Sequence, residues 1–254
     1  MKDNTNLKVP FLDLYAQYLS IKNELDDAIK TVIESSSFVR GIHVDQFEQS
    51  FASKMQRKNC ISCANGTDAL YISMMALGVK EGDEIIAPAH SWISTSETIT
   101  QAGGKVVFCD TDRDNYTINP EDIEKKITNR TVGIIPVHLF GQAADMASIM
   151  EISQKHNLWV IEDCAQAHLA KFKGQLVGTF GNAATFSFYP GKNLGAMGDA
   201  GAILTNDDEL SIKMKMFARH GGLKKGDHRI EGINSRLDGM QAAILNVKLK
   251  HLDK

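Results

Sequence analysis

The sequence has no excess of positive charge, few cysteines and no long apolar run. Its 28 Lys and Arg stand against 31 Asp and Glu, whereas nucleic-acid-binding domains usually carry a basic face. No apolar run approaches the length that spans a bilayer, and the polar residues 1–6 lack the apolar segment of a signal peptide. These absences argue against nucleic-acid and membrane partners and favour a cytoplasmic protein.

The cysteines include a single C-x-x-C pair, Cys60 and Cys63. A zinc site would need two more ligands in a suitable array, and the chain has no second pair. A redox pair would open a helix, but this one lies in a run that is typical of a strand. We therefore expect these residues to behave as small buried hydrophobes, with no metal site.

Short apolar runs alternate with helix-like segments along most of the chain. Strands are predicted at 60–63, 84–87, 105–109, 132–137, 158–161, 183–188 and 201–204. Helices are predicted at 11–36, 45–55, 67–77, 91–101, 120–127, 143–156, 209–220 and 237–252. This alternation predicts an α/β fold with a mostly parallel, seven-stranded sheet between helices, an α/β/α sandwich. Because the strands are almost continuously apolar, both faces of the sheet should be buried.

Polar residues that follow the strands are candidates for a site, because ligands of open α/β sheets bind beyond the carboxyl ends of the strands. After the first strand, Asn65, Gly66 and Thr67 open a helix. Free backbone N–H groups at such a point bind anions, ideally phosphate. An ordinary turn capped by Asn65 or Thr67 is an equally good interpretation.

Two further strand ends carry Trp92 and Asp163. Trp92 could stack on a flat ligand, although an isolated tryptophan is more often a core aromatic. Asp163 needs a cation or several donors to stay ionised, and a protonated pyridine nitrogen would serve. A helix cap is the alternative role for Asp163.

Ser187 and Lys192 follow the predicted strand 183–188. Most lysines are simply solvated, but a lysine at the mouth of a core strand can lose its proton and attack a carbonyl carbon. The segment is not a nucleotide P-loop, because Phe186 and Asn193 stand where that motif has Gly and Ser or Thr. No G-x-G-x-x-G opens the first βα unit, which argues against a nicotinamide dehydrogenase.

The candidates together complement one ligand, pyridoxal 5′-phosphate (PLP). Gly66, Thr67 and Ser187 suit its phosphate, Trp92 its ring and Asp163 its pyridine nitrogen. Lys192 suits its aldehyde. Seven segments then identify a family: PFLDL (10–14), ANGTDAL (64–70), GDE (82–84), EDCAQAH (162–168), SFYPGK (187–192), GDAGA (198–202) and GINSRLD (232–238). In this order they resemble the DegT/DnrJ/EryC1/StrS family of PLP-dependent sugar aminotransferases, which have the fold type I of aspartate aminotransferase.

The resemblance implies a role for each site residue. Lys192 resembles the lysine that forms the Schiff base and moves the proton, and Asp163 the partner of the pyridine nitrogen. Gln166 resembles the residue near the ring hydroxyl, and Trp92 takes the stacking position. Gly66, Thr67 and Ser187 resemble the phosphate contacts. Asn234 matches an asparagine that reaches the phosphate from the neighbouring subunit, which implies a homodimer with a shared active site.

The resemblance also implies a reaction. An amino donor, L-glutamate in most of the family, would give its amino group to a nucleotide-linked keto sugar, in amino-sugar biosynthesis for a surface polysaccharide or a glycosylated product. The segments CISCAN (60–65) and NSRLD (234–238) look most like members that aminate C3. Dehydratases of the family have histidine in place of the lysine, so Lys192 favours an aminotransferase.

The chain departs from the family pattern in two places. Leu169 stands where glycine is common, which should alter packing and not chemistry. The family also continues into a smaller C-terminal domain. We therefore expect residues 1–254 to form the PLP-binding large domain with a helical N-terminal segment, without the small domain. The alternative function is a truncated, non-catalytic protein that binds PLP or a sugar nucleotide.

Overall fold

A computed structural model of the chain describes residues 9–224 and 226–253. The polar segment 1–6 and Lys254, which entered the predictions above, lie outside the described residues. Within the described part, no helix is long and apolar enough to cross a membrane.

The helices agree with the predicted segments, with one division. Their bounds are α1 (Leu14–Ser20), α2 (Lys22–Ser35), α3 (Ile42–Lys54), α4 (Gly66–Ala76), α5 (Ser94–Gln101), α6 (Pro120–Lys126), α7 (Met146–His156), α8 (Asp208–Phe217) and α9 (Gly239–Leu249). A turn of 3-10 helix spans Leu139–Gly141. The prediction of one helix over 11–36 is wrong, because the backbone leaves helical geometry at Ile21 (φ −132°, ψ 25°).

Seven strands form one sheet, as predicted. They are β1 (Asn59–Cys63), β2 (Glu84–Pro88), β3 (Lys105–Cys109), β4 (Thr131–Ile134), β5 (Trp159–Asp163), β8 (Ala183–Ser187) and β9 (Gly201–Thr205). The spatial order is β1-β9-β8-β5-β4-β2-β3. A small antiparallel hairpin of β6 (Lys171–Phe172) and β7 (Gln175–Leu176), which the sequence did not predict, lies outside this sheet.

The sheet is mostly parallel, and its exception matters for the site. The pairs β2–β3, β2–β4, β4–β5 and β5–β8 are parallel, whereas β9 runs antiparallel to both β1 and β8. An antiparallel neighbour can be reached without a helical crossover. The chain therefore returns from β8 to β9 through the loop 188–200, and this loop carries Lys192.

Both faces of the central sheet are buried, but its edge is not. Cys60 and Cys63 are three residues apart on β1 and lie in two different core clusters, because side chains of a strand alternate between faces. All four cysteines are free and buried, which confirms the hydrophobic role predicted for them. The expectation of complete burial is wrong for β3, where Phe108 is 53% exposed, because β3 is an edge strand.

Leu169 has a backbone conformation that explains why glycine is common at its position. Its φ of 61° lies in the left-handed region that disfavours residues with a Cβ. Its side chain is partly buried and packs against the core cluster that contains Phe186 and Phe188. Leucine therefore combines backbone strain with additional packing at this position.

Candidate active site

A cavity of about 650 Å³ lies at the carboxyl ends of the central strands. Seven of the eight predicted site residues line it: Gly66, Thr67, Trp92, Asp163, Gln166, Ser187 and Lys192. Asn234 is exposed, and it is not among the described residues that line the cavity. One chain thus brings together every predicted residue except the one expected to act from a neighbouring subunit.

The N-terminus of α4 lines this cavity and is capped, so the interpretation as a capped turn is confirmed and phosphate binding stays a prediction. Asn65 caps the helix, with its side chain accepting a 2.8 Å hydrogen bond from the backbone N–H of Asp68. Gly66 approaches β8 so closely that a Cβ on it would lie 2.7 Å from Cβ of Ser187. The first backbone N–H groups of a helix lack intrahelical partners and favour anions. Gly66, Thr67 and Ser187 therefore form a cradle that fits a phosphate.

Asp163 ends β5 and points its buried carboxylate into the cavity. The carboxylate accepts hydrogen bonds from the backbone N–H of Ala165 (3.1 Å) and from Oγ1 of Thr95 (3.3 Å). Burial raises the pKa of Asp163, and these two bonds lower it by less than burial raises it. A bound cation beside the carboxylate would offset this cost, and a pyridinium nitrogen has that charge.

Lys192 lines the same cavity and is half-buried. Its backbone N–H donates to the carbonyl of Tyr189 at 2.8 Å, and the N–H of Ala196 donates to the carbonyl of Phe188 at 2.7 Å, so the loop is a closed turn. Burial lowers the pKa of Lys192, and the nearby Asp163 carboxylate opposes this shift without cancelling it. A larger fraction of this amine is therefore uncharged than in a solvated lysine, as a nucleophile or base requires.

Trp92 and Gln166 occupy the mouth and the wall of the cavity. Trp92 is 74% exposed, so the interpretation of this residue as a core aromatic is wrong. Oε1 of Gln166 accepts a 2.7 Å hydrogen bond from the backbone N–H of Phe140, which fixes the orientation of its amide. Both side chains are placed where a flat ligand in the cavity would meet them.

Glu162 precedes Asp163 and is wholly buried. Its carboxylate accepts four hydrogen bonds of 2.7–3.2 Å, from Nε2 of His138 and the backbone N–H groups of Gly178, Phe180 and Gly181. His138, Glu162 and Cys164 bring possible metal ligands within 4.8 Å of one another. Since both oxygens of Glu162 already accept two hydrogen bonds each, we interpret this cluster as a structural anchor.

Several residues at this site were not predicted from the sequence. Ser91, Ser94, Tyr189 and Asp199 also line the cavity, and Thr95 bonds to Asp163, which lines it. The hydroxyl-rich segment 91–96, directly after a predicted strand, was the available signal. The sequence pattern does not show which of these hydroxyl groups reach the cavity, because that depends on contacts with residues distant in sequence, such as Thr67 and Asp163.

The residues of the cavity fit PLP in the chemistry of its donors and acceptors. A cradle of unpartnered helix N–H groups suits a phosphate, and a carboxylate with a raised pKa suits a protonated pyridine nitrogen. An amine with a lowered pKa suits an aldehyde, and an exposed indole suits the face of a ring. These four features lie in one cavity.

Known proteins resemble this chain over nearly its whole length. A pleiotropic regulatory protein of Geobacillus stearothermophilus is 48% identical over 248 residues, which are 98% of this chain and 67% of that protein. The dTDP-3-amino-3,6-dideoxy-α-D-galactopyranose transaminase of Aneurinibacillus thermoaerophilus is 48% identical over 245 residues, 96% of this chain and 68% of the enzyme. The chain thus spans about two thirds of the length of these relatives.

Solved structures have the same fold. DesV of S. venezuelae, in complex with a ketimine intermediate, matches with a TM-score of 0.95 and 41% identity over 97% of this chain and 66% of DesV. NtdA of Bacillus subtilis with bound cofactor PMP matches with a TM-score of 0.91 and 34% identity over 99% of this chain and 58% of NtdA. The sequence model of one family matches residues 19–254. The chain belongs to the DegT/DnrJ/EryC1/StrS aminotransferase family.

Proposed function

We propose that the protein is a PLP-dependent aminotransferase that transfers an amino group from L-glutamate to a nucleotide-linked 3-keto sugar, in amino-sugar biosynthesis. One observation carries this proposal: Lys192, with a lowered pKa, and Asp163, with a raised pKa, line the same cavity. The similar transaminase named for a dTDP-linked 3-amino sugar supports the substrate class. The choice of glutamate rests on the family resemblance.

The chain would hold PLP at five points. Gly66, Thr67 and Ser187 would bind the phosphate, and Trp92 would cover one face of the ring. Asp163 would pair with the pyridine nitrogen, and Gln166 would lie near the ring hydroxyl. Lys192 would hold the aldehyde carbon. PLP itself supplies an aldehyde that condenses with amines and a ring that withdraws electrons from the adjoining carbon.

Lys192 and Asp163 would have different roles in the reaction. The carboxylate of Asp163 would stabilise a proton on the ring nitrogen of bound PLP. The amine of Lys192 would act as base and acid, accepting at Nζ a proton from the carbon of the amino donor and then giving it back. A lysine with a lowered pKa suits both directions, because its amine exchanges protons near neutral pH more readily than a solvated amine does.

A homodimer completes the proposed site, with Asn234 of each chain reaching the phosphate of the other. Large apolar side chains around the cavity support this, since Trp92 and Phe140 are each 74% exposed and Tyr189 is 58% exposed. Exposed apolar patches of this kind mark interaction surfaces. We further propose that residues 1–254 form the cofactor-binding large domain. The cytoplasmic location stays a prediction.

Absorbance spectroscopy tests the proposed reaction. Adding PLP should give a visible band that Lys192→Ala abolishes, and adding L-glutamate should convert this band to that of the amino form of the cofactor. D-Glutamate serves as the control, because the site should accept one configuration at the reacting carbon. A folded, PLP-loaded protein that L-glutamate leaves unchanged would instead be the non-catalytic binding protein.

A further inference from the structure

The first turn of α5 contacts both ends of the cavity through two adjacent hydroxyl groups. Oγ of Ser94 lies 2.7 Å from Oγ1 of Thr67, and Oγ1 of Thr95 donates to Oδ2 of Asp163 at 3.3 Å. Ser94 and Thr95 are both buried, at 8% and 2% exposure. Two neighbouring residues therefore connect the proposed phosphate cradle to the proposed partner of the pyridine nitrogen.

Each hydroxyl group has one proton, so the direction of each chain of hydrogen bonds can be derived. An ionised Asp163 only accepts, so Thr95 donates to it. Oγ1 of Thr95 must then accept from Oγ of Ser91, which lies 2.8 Å away. In the same way, Thr67 can donate to a phosphate oxygen only if it accepts from Ser94. In both series of hydrogen bonds the hydroxyl groups then donate in the direction of the anion, which is the Asp163 carboxylate in one and the phosphate in the other.

The same turn also holds the loop that carries Trp92. The backbone N–H of Thr95 donates to the carbonyl of Trp92 at 3.1 Å, and the Ser91–Thr95 bond spans the loop a second time. Chains of hydrogen bonds in a buried environment strengthen one another. The positions of Trp92, Thr67 and Asp163 therefore depend on a single short segment of helix.

Resting on the proposed function, we propose that Ser94 and Thr95 are positioning residues that hold the two ends of the PLP site at a fixed separation. Ser94 orients the Thr67 hydroxyl for the phosphate. Thr95 orients the Asp163 carboxylate for the pyridine nitrogen and stabilises its ionised form. Thr95 is not among the described residues that line the cavity, whereas Ser94 lines it beside Thr67, and the two act on different ends of the site.

The charge of Asp163 offers a measurement of the Thr95 contact that needs no cofactor. The titratable groups that act on Asp163 are Lys192, from the loop after β8, and His138, from the loop after β4. Glu162 precedes Asp163 on its own strand. Substituting Thr95 leaves all three in place, so a change in the titration of Asp163 reports the lost hydroxyl.

The first experiment follows the side-chain carboxyl carbon of Asp163 by ¹³C NMR in the cofactor-free protein, with the signal assigned by its loss in Asp163→Asn. We expect the midpoint of the titration to move to higher pH in Thr95→Val, because the ionised form loses a donor. Thr95→Ser should restore the wild-type midpoint, because it keeps the hydroxyl. Ser94→Ala should not move it.

The second experiment compares binding of PLP with binding of pyridoxal, which lacks the phosphate. Ser94→Ala should weaken PLP about fivefold, as expected for the loss of one oriented hydrogen bond, and leave pyridoxal nearly unchanged. Thr95→Val should weaken both ligands by the same factor. Matched controls on the same helix are Ser96→Ala and the exposed Thr100→Val, whose hydroxyl groups bond to the carbonyls of Ile93 and Ser96.

The two experiments separate this proposal from the proposed function. An unchanged Asp163 midpoint in folded Thr95→Val, or an equal loss of PLP and pyridoxal in Ser94→Ala, overturns the assignment of that residue. Wild-type protein that binds neither ligand contradicts the PLP function itself. The NMR titration still decides the role of Thr95 in that case.

Discussion

Glu162 and Asp163 are adjacent carboxylates at the end of β5, but they differ in their hydrogen bonds and in the direction of their pKa shifts. Glu162 accepts four hydrogen bonds and has Arg57 3.8 Å away, whereas Asp163 accepts two among the described residues and lines the cavity. Burial raises the pKa of both, but the donors around Glu162 outweigh burial and lower its pKa overall, while the pKa of Asp163 stays raised.

This difference follows from what surrounds each side chain at the end of β5. The turn 178–181 wraps the Glu162 carboxylate, and Arg57 binds the carbonyls of Gly178 and Gly181 at 2.7 and 2.8 Å. Because side chains of a strand alternate between faces, Asp163 points to the other face, towards the cavity. The four hydrogen bonds of Glu162 anchor the end of β5, whereas the Asp163 carboxylate can accept a further donor on the side of the cavity.

The largest effect is expected from Asp163→Asn, which should lower the rate of transamination. We predict a fall in transamination on the order of 10³-fold, because the amide cannot stabilise a protonated ring nitrogen. The stability of the cofactor-free protein at pH 7 should not fall, because a buried charge is removed. Single-turnover kinetics with glutamate and urea unfolding measure the two effects.

Glu162→Gln should have a smaller effect, and that effect should be on the stability of the fold. The amide places an NH₂ group against backbone donors, so we predict a loss of about 3 kcal/mol in the free energy of unfolding. Exposed Glu151→Gln is the matched control and should change stability little. Urea unfolding at pH 7 measures both. A Glu162→Gln variant as stable as wild type would refute the anchoring role.

The two carboxylates should also differ in how their contributions to the free energy of unfolding depend on pH. The pKa of Glu162 is lowered from 4.5, so its contribution to stability is present above pH 4.5 and is lost as the pH falls through its folded pKa. The pKa of Asp163 is raised from 3.8, so its cost disappears as the pH falls through its folded pKa towards 3.8. As the pH falls from 7 towards 3.8, Asp163→Asn should therefore approach wild type in its free energy of unfolding. The loss of stability in Glu162→Gln should persist down to pH 4.5 and shrink only below it.

The smallest effect is expected at Leu169, away from both carboxylates. Leu169→Ala loses partly buried packing but keeps the strained φ of 61°, so it should destabilise by about 1 kcal/mol. Leu169→Gly loses the same packing but relieves strain of about 1 kcal/mol. We predict that glycine is the more stable of the two variants by thermal unfolding. The reverse order would mean that the left-handed backbone carries no strain.

The sequence predicted the parts of the fold and site that depend on local pattern. Seven strands and the cavity-lining Lys192, Asp163 and Trp92 follow from apolar runs and the polar residues after them. The pattern could not distinguish Glu162 from Asp163, because the donors of Glu162 come from residues 16–24 positions away and Arg57 is more distant still. Neither could it predict that β9 runs antiparallel, since strand direction is set by packing.

Peptide mapping after borohydride reduction tests most directly whether Lys192 is the lysine that binds PLP. PLP is added to the folded protein, the mixture is reduced, and the digested peptides are analysed by mass spectrometry. We predict one stoichiometric PLP adduct, on Lys192, that is lost in Lys192→Ala. A stoichiometric adduct on another lysine, or an adduct that persists in Lys192→Ala, would contradict it.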